Sequence, residues 1–221
     1  MKTLLLLNPN TNAQITARLD ARVQTLLDAT WRVNAVTAAF GQHYISNEAS
    51  YVEAAHATLD AYRAHVGAAD AMLVGCFGDP GGFALAEDGR MPSIGLAEAA
   101  MREAAALGDY AIVTGGAAWK PMLARLAFGL GGRVNARLVL IETIALTGAQ
   151  VASEPVSAHA ILLDACRHAM RTAPQISSII LGGAGLMGIA QSIQHDCPIK
   201  LIDSVDAGAR AISRFKISPK K

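Results

Sequence analysis

Short apolar runs alternate with stretches of helical periodicity along most of the chain. The continuous apolar runs Thr3–Leu7, Ala71–Gly75 and Ser177–Leu181 predict buried strands. Ala13–Leu27 carries apolar residues at helical spacing, and Leu96–Leu107 is an alanine-rich helix candidate. The remaining predicted elements are strands Trp31–Phe40, Tyr110–Val113, Arg137–Ile141 and Ile199–Ile202, and helices Ser50–Val66 (capped by Ser46 or Asn47) and Ala158–Arg171. Strands that are apolar on both faces predict an α/β fold, with a parallel sheet covered by helices on each side.

The alternation of elements repeats itself within the chain. Met72–Gly78 aligns with Ile179–Gly185 at an offset of 107 residues, and Leu7–Asn10 aligns with Val113–Gly116 at an offset of 106. Two strand-to-loop junctions with nearly the same offset predict two similar lobes. We expect one lobe to comprise residues 1–94 plus 203–221 and the other to comprise residues 95–202. Four loops at the carboxyl ends of the strands then face a cleft, where open α/β sheets bind ligands.

Composition and charge exclude several classes of protein. The 221 residues are 52% apolar and only 17% charged, which excludes disorder for nearly all of the chain. The formal net charge is +1 and basic residues are scattered singly, so we expect neither a nucleic acid nor a membrane as partner. The N-terminal segment MKTLLLLNPN has four leucines before Asn8, which is a shorter apolar stretch than a signal peptide needs. The three cysteines do not suggest a disulfide framework, and we predict a soluble, cytoplasmic protein.

Cys76 is the strongest single candidate for chemistry. It follows a buried strand and begins a glycine-rich turn, where free backbone N–H groups and a helix start favour a thiolate. Such a group acts as a nucleophile, general base or general acid. The alternative interpretation is a small buried hydrophobic residue. Cys166 and Cys197 are interpreted as structural because neither lies in a loop between a strand and a glycine-rich turn.

Polar residues follow other predicted strands. Asn8, Asn10 and Thr11 are candidates for hydrogen bonding a small polar substrate, or else they shape the turn and cap the next helix. The segment Thr114-Gly115-Gly116 has the same two interpretations, with its backbone N–H groups as an anion-binding nest. Asp79 either orients a substrate amine or caps a helix. The six histidines have no spacing that indicates a metal site.

One motif favours a different function. Gly183–Gly188 matches G-x-G-x-x-G directly after a predicted strand, and Asp203 follows twenty positions after Gly183. This is the local pattern of a dinucleotide site. Only eighteen residues follow Asp203, so the rest of a mononucleotide-binding half is missing downstream. Dinucleotide binding is retained as an alternative.

Taken together, several loops resemble the aspartate/glutamate/hydantoin racemase superfamily, most closely its hydantoin and allantoin racemase branch. The order of NPNT followed by CFGDPG is a specific signal. The resemblance is spread over residues 4–188, and it rests on Leu6–Thr11, Ala71–Gly81, Gly95–Ala100, Ile112–Thr114 and Leu181–Leu186.

This resemblance implies two Rossmann-like lobes with parallel sheets related by pseudo-twofold symmetry, and an active site in the cleft between them. It implies no cofactor and no metal, a homo-oligomer, and a small substrate with a carboxylate or ring carbonyl. In such enzymes one cysteine from each lobe faces opposite sides of an acidic carbon. Cys76 matches the first cysteine, whereas Gly183 occupies the position of the second.

The missing second cysteine leaves several reactions open. A racemase or isomerase that moves a proton with Cys76 is the leading hypothesis. Arylmalonate decarboxylases, relatives within the superfamily, also keep only one of the two cysteines, in the opposite lobe. A lyase is therefore the alternative. A cysteine that adds to an unsaturated acid and a binding lobe that has lost catalysis also fit. The departure from the family's usual double threonine at Thr114-Gly115 implies a different ligand or a roomier pocket.

Other site residues are predicted from their neighbours in the chain. Backbone N–H groups near the two paired positions are expected to stabilise an enolate, since such donors are often the largest catalytic contribution. Tyr44, in the segment after the second strand, is expected to close over the site or else to be a half-buried loop residue. The four positions predicted to supply the N–H groups are Phe77, Gly78, Ala184 and Gly185.

Overall fold

The computed structural model describes residues 1–146, 150 and 155–217. In these ranges the strands form two four-stranded parallel sheets, in the orders β2-β1-β3-β4 and β6-β5-β7-β8. The fold class predicted from the apolar runs is therefore confirmed. The strands are β1 (Lys2–Asn8), β2 (Trp31–Thr37), β3 (Ala71–Val74), β4 (Ser93–Gly95), β5 (Tyr110–Gly115), β6 (Leu138–Ile144), β7 (Ser178–Gly182) and β8 (Lys200–Asp203).

Helices connect the strands and cover the sheets. Asn47 caps α2, and its side chain accepts a hydrogen bond from the Ser50 N–H at 2.9 Å, as the sequence indicated. The helices are α1 (Ala13–Leu26), α2 (Glu48–His65), α3 (Gly82–Asp88), α4 (Leu96–Leu107), α5 (Trp119–Leu130), α6 (Gly132–Arg137), α7 (Pro155–Thr172), α8 (Ile189–Ile193) and α9 (Ser204–Ser213). None of the described helices has the length and apolar character needed to cross a membrane.

The two sheets have the same internal order, strand for strand. β1 pairs with β2 and β3, just as β5 pairs with β6 and β7. The repeat seen in the sequence therefore corresponds to equivalent strands. The loop of Cys76 follows β3 and the loop of Gly183 follows β7, its counterpart. Because both strands lie beside the first strand of their sheet, the two loops occupy matching positions in the two lobes.

Two helices cross between the lobes. α4 leaves β4 of the first sheet and packs against β7 of the second, while α9 leaves β8 and packs against α1 and α4. Alanines on α4 allow this close packing, and one apolar core joins both sheets, including Leu73 and Ile180. The division into residues 1–94 plus 203–221 and 95–202 stays a prediction, and residues 218–221 lie outside the described ranges.

Some elements differ from the sequence prediction. The predicted strand Arg137–Ile141 is shifted, because Arg137 ends α6 and β6 continues to Ile144. The predicted strand Trp31–Phe40 ends at Thr37. β4 has only three residues, too few for a periodic pattern to reveal. The helices α5, α6 and α9 were likewise not predicted, and for α3 the sequence indicated only a helix start after the Cys76 turn.

Candidate active site

A cavity of about 250 Å³ lies where the carboxyl ends of β1, β3, β5 and β7 approach one another. This is the edge at which parallel sheets offer loops and free backbone groups to a ligand. Both lobes contribute to its wall. The lining residues are Asn10, Ile15, Tyr44, Ile45, Ser46, Gly75, Cys76, Phe77, Thr114, Gly115, Gly116, Trp119, Gly182, Gly183, Ala184, Gly185 and Leu186.

The end of β3 places Cys76 in the wall of this cavity. The Gly75 N–H donates to the Leu7 carbonyl at 2.7 Å, which keeps β3 tight against β1. A Cβ atom at Gly75 would lie 2.8 Å from Leu19 Cδ1 and 3.0 Å from the Leu7 carbonyl oxygen, so glycine suits this close approach. The chain then turns sharply, because the Cys76 carbonyl accepts hydrogen bonds from the N–H groups of Gly78 and Asp79. Cys76 is buried, with 9% of its surface exposed.

The environment of Cys76 differs from the sequence prediction of a favoured thiolate. Burial raises the pKa of the Cys76 thiol above its ordinary value, and the nearby carboxyl of Asp79 raises it further. A thiolate there loses hydration and gains no cationic partner. The neutral thiol is therefore the form favoured near pH 7.

Asp79 anchors the Cys76 turn to the helix that crosses between the lobes. Its backbone has φ of 51°, a left-handed conformation that is uncommon outside glycine. The side chain is buried and accepts hydrogen bonds from the N–H groups of Ala97 (2.9 Å) and Glu98 (2.6 Å) at the start of α4. A Cβ atom at Gly95 would overlap the Asp79 carboxyl, so the close approach requires glycine. The helix-capping interpretation of Asp79 is the one that the structure supports.

The titration of Asp79 predicts a pH-dependent stability. Burial raises the pKa of its carboxyl from 3.8 to about 7. The folded protein then binds this proton more tightly than the unfolded chain, so stability falls as pH rises from 4 to 7. An Asp79→Asn variant lacks this titrating group. The free energy of unfolding of the unchanged protein, minus that of the variant, should therefore fall by on the order of 2–4 kcal/mol between the two ends of that window. Urea unfolding at pH 4.5 and pH 8 measures the difference.

An exposed carboxylate provides the control for this experiment. Asp60 lies on the solvent side of α2, and Asp60→Asn should leave the pH dependence of unfolding unchanged. Parallel stability curves for the Asp79→Asn variant and the unchanged protein would contradict the assignment of the titration to Asp79.

The loop after β7 faces the cavity from the second lobe. Gly183 has φ of 138°, and its N–H donates to Ser204 Oγ at 3.2 Å. A Cβ atom at Gly183 would meet Leu186 at 3.6 Å, which is ordinary contact, so the volume of a side chain is tolerated although its φ is strained. The Thr114 hydroxyl donates to the Gly182 carbonyl at 2.7 Å and ties the β5 and β7 loops together.

Two aromatic rings interlock the lobes beside the cavity. The ring of Phe77, next to Cys76, occupies the space that a Cβ atom at Gly182 would need. The ring of Trp119, on the second lobe, occupies the space that a Cβ atom at Gly78 would need. Each lobe therefore places an aromatic ring against a glycine of the other lobe. These contacts pack the Cys76 loop against the end of β7, directly before Gly183.

Residues 4–212 match the family model described as Asp/Glu/Hydantoin racemase. The chain belongs to this family. Its relatives include a hydantoin racemase of Paenarthrobacter aurescens, which is 27% identical over 215 residues, covering 94% of this chain and 88% of the relative. A hydantoin racemase of Pseudomonas sp. (strain NS671) is 25% identical over 206 residues, covering 92% and 82%.

Solved structures share the racemase-family fold. Allantoin racemase from Klebsiella pneumoniae superposes with a TM-score of 0.86 at 24% identity, covering 96% of this chain and 86% of that one. A liganded arylmalonate decarboxylase variant, with one glycine replaced by cysteine and one cysteine by serine, superposes with a TM-score of 0.69 at 17% identity. That match covers 99% of this chain and 96% of the other.

The racemase-family cavity brings together most of the residues singled out in the sequence. It places the predicted residues of both lobes in one wall, and their roles toward a substrate stay predictions. The predicted residues that line it are Asn10, Tyr44, Cys76, Phe77, Thr114, Gly115, Gly183, Ala184 and Gly185.

Three predicted substrate-binding residues lie outside the lining. Asn8 is fully buried, and its amide donates to Asn10 Oδ1 at 2.8 Å and to the Asn12 carbonyl at 3.0 Å. The Thr11 N–H donates to the Gln42 carbonyl, which connects this loop to the segment carrying Tyr44. Gly78 lies beneath the Trp119 ring. These residues shape the loops that carry the lining residues.

Trp119 is the main lining residue that sequence reasoning missed. It begins α5 directly after the glycine-rich loop of β5. The sequence signal that was overlooked is a large aromatic residue shortly after such a loop. The other unpredicted lining residues are Ile15, Ile45, Ser46, Gly75, Gly182 and Leu186, whereas Gly116 belongs to the predicted nest of Thr114-Gly115-Gly116.

The geometry disfavours the dinucleotide alternative. The buried carboxylate of Asp203 accepts hydrogen bonds from the N–H groups of Val205 (2.8 Å) and Gly188 (2.6 Å). It caps α9 and holds the glycine-rich loop, so it is not free to bind a ribose. The helix after this loop, α8, has only five residues. Within the described ranges, no cluster of three or more His, Cys, Asp or Glu residues could hold a metal ion.

Proposed function

We propose that the protein is a cofactor-independent racemase of the hydantoin type, which moves a proton at a carbon next to a carbonyl with Cys76 as the acid/base group. The observation that carries the proposal is the place of Cys76 between the lobes, in the cavity wall shared with the Gly183 loop. Among the described lining residues, only Cys76 and Tyr44 have titratable side chains. Of these, Cys76 is buried and Tyr44 is 42% exposed.

The charge of the cavity supports a substrate with a neutral ring. None of the described lining residues has a charged side chain. Residues 147–154, most of which lie outside the described ranges, contain no lysine, arginine or histidine in the sequence. A substrate with two carboxylates would lose its hydration there without a cationic partner. The carbonyl groups of a hydantoin-like ring need only hydrogen-bond donors, and backbone N–H groups of the glycine-rich loops supply them to a developing enolate.

The two faces of the substrate carbon differ in what the protein offers. On the Cys76 face, the thiolate form removes the proton and the thiol form returns it. On the Gly183 face the family's second thiol is absent, so we propose that water exchanges the proton there. Because burial raises the pKa of Cys76, the thiolate is the minor form near neutral pH. Proton removal therefore becomes faster as pH rises.

Deuterium exchange tests the proposal. Single enantiomers of 5-substituted hydantoins and of allantoin, with aspartate for comparison, are incubated with the protein in D₂O and followed by NMR and by chiral chromatography. We expect deuterium at the α-carbon of a ring substrate, and we expect it to enter with retention faster than the enantiomer inverts. Absence of exchange with every compound would overturn the racemase function. Equal rates of exchange and inversion would show that a second protein group acts on the opposite face.

A decarboxylase is the second candidate. A single protonated thiol suits delivery of a proton to one face of a carbanion left by loss of carbon dioxide. The cavity has no charged lining group among the described residues, which disfavours a malonate dianion. Carbon dioxide release from phenylmalonate, without deuterium exchange into hydantoins, would replace the racemase proposal with this one.

A cytoplasmic location and a homo-oligomeric state remain proposals made from the sequence. Sedimentation velocity at micromolar protein concentration measures the oligomeric state directly, and a monomer there would contradict that proposal.

A further inference from the structure

Trp119 is the point at which the second lobe touches the Cys76 turn. It is the first residue of α5, and its N–H donates to the Gly116 carbonyl at 3.1 Å. The edge of its ring packs against Gly78, two residues after Cys76, and its Cδ1 atom lies 3.6 Å from the position of a Cβ atom at Gly116. Trp119 therefore contacts the Cys76 turn and lines the same cavity as Cys76.

The lining residues of the cavity differ in burial. The apolar residues Ile15 and Leu186 are buried, with 6% and 1% of their surfaces exposed. Trp119 and Tyr44 line the same cavity but are partly exposed to solvent. A substituent on the reacting carbon that extends toward solvent is therefore expected to meet these two aromatic residues. No described lining residue offers such a substituent a charge.

We propose that Trp119 is a specificity-determining residue that selects substrates whose acidic carbon carries an apolar group, preferably an aromatic one. This inference rests on the proposed proton-transfer function of the same cavity. Trp119 lines the same cavity as Cys76, so an aromatic ring on the substrate that packs against the indole removes apolar surface from water. Offset or edge-to-face pairs of aromatic rings are more favourable than their buried area alone predicts. A methyl substituent gains little from this contact.

The test compares two substituents in two kinds of measurement. The probes are 5-benzylhydantoin and 5-methylhydantoin, used with the full chain and with Trp119→Phe and Trp119→Leu variants. Turnover gives kcat/KM for each probe, and calorimetry in a Cys76→Ser background gives each Kd without turnover. We expect the preference for the benzyl probe to fall about 10-fold in Trp119→Leu and to be largely kept in Trp119→Phe. Phe128→Leu, an exposed aromatic on the same helix, should leave both values unchanged.

The outcomes separate this inference from the proposed function. If Trp119→Leu weakens both probes by the same factor, the ring has only a structural role and the inference is wrong. Failure of 5-benzylhydantoin to bind the full chain also overturns it. If the benzyl preference in Kd depends on Trp119 but no α-carbon exchange occurs, the inference holds and the racemase proposal fails. If α-carbon exchange occurs but the ratio of the two probes is the same in Trp119→Leu as in the full chain, the racemase proposal holds and the inference fails.

Discussion

Replacing Cys76 with serine is expected to slow α-carbon deuterium exchange in a hydantoin substrate by about 10²–10⁴-fold. Serine keeps the shape and a hydroxyl group, but its proton is far too weakly acidic for the hydroxyl to serve as base near neutral pH. Because Cys76 is buried and forms part of the cavity wall, the isosteric change leaves the packing in place. Loss of exchange then reports on chemistry and not on the fold. NMR in D₂O measures the rate.

The pH profile of the unchanged protein adds a second readout for Cys76. Its pKa lies above the ordinary value of a thiol, so the thiolate fraction increases throughout the neutral and mildly alkaline range. The exchange rate should rise with pH across this range, by about tenfold per unit when the thiolate is the required base. A profile that is flat from pH 6 to 9 would show that the thiol acts only as an acid, as in the decarboxylase alternative.

Cys166 supplies the control for the Cys76 variant. It is fully buried in the second lobe, away from the cavity lining, and belongs to the apolar cluster between β7 and α7. Cys166→Ala should lower stability slightly and leave the exchange rate within about twofold of the unchanged protein. Full exchange activity in Cys76→Ser would contradict the assignment, and so would a loss in Cys166→Ala as large as that in Cys76→Ser.

Replacing Gly182 with alanine is expected to cost about 1–3 kcal/mol of stability and to lower activity about 100-fold. The added Cβ atom would overlap the ring of Phe77, which is only 4% exposed and lines the cavity, so the ring must move. Phe77 directly follows Cys76, so a displaced ring either enters the cavity beside the thiol or shifts the Cys76 turn. We expect either change to disturb the geometry that the reaction needs. Urea unfolding and the D₂O exchange assay measure the two effects.

A second substitution tests the cause of this effect. Phe77→Ala removes the overlapping ring, so Phe77→Ala combined with Gly182→Ala should be less destabilised than the sum of the single variants by about 1 kcal/mol or more. Additive losses would show that the glycine is needed for its backbone and not for the ring contact. If Gly182→Ala has the stability and exchange rate of the unchanged protein, the close contact between the Phe77 ring and Gly182 is wrong.

Local sequence pattern was sufficient for the architecture. Continuous apolar runs identify β1, β3, β5 and β7 because strands buried on both faces leave no polar positions. The offset between the Cys76 and Gly183 loops identified the duplicated lobes because equivalent strands end in equivalent turns. Asn47 was predictable as a helix cap because capping depends on neighbours in the chain.

The local sequence pattern did not predict contacts between residues that are distant in the chain. The pKa of Cys76 depends on how deeply the lobes bury it and on the carboxyl of Asp79, and the glycine-rich turn pointed to the opposite shift. Asn8 is a suitable ligand residue by type, but its amide is bound within its own loop. Trp119 enters the site because α5 starts across from Gly78. Strand and cap preferences act over a few residues, so the sequence predicts them, whereas burial and ring contacts depend on how the two folded lobes meet.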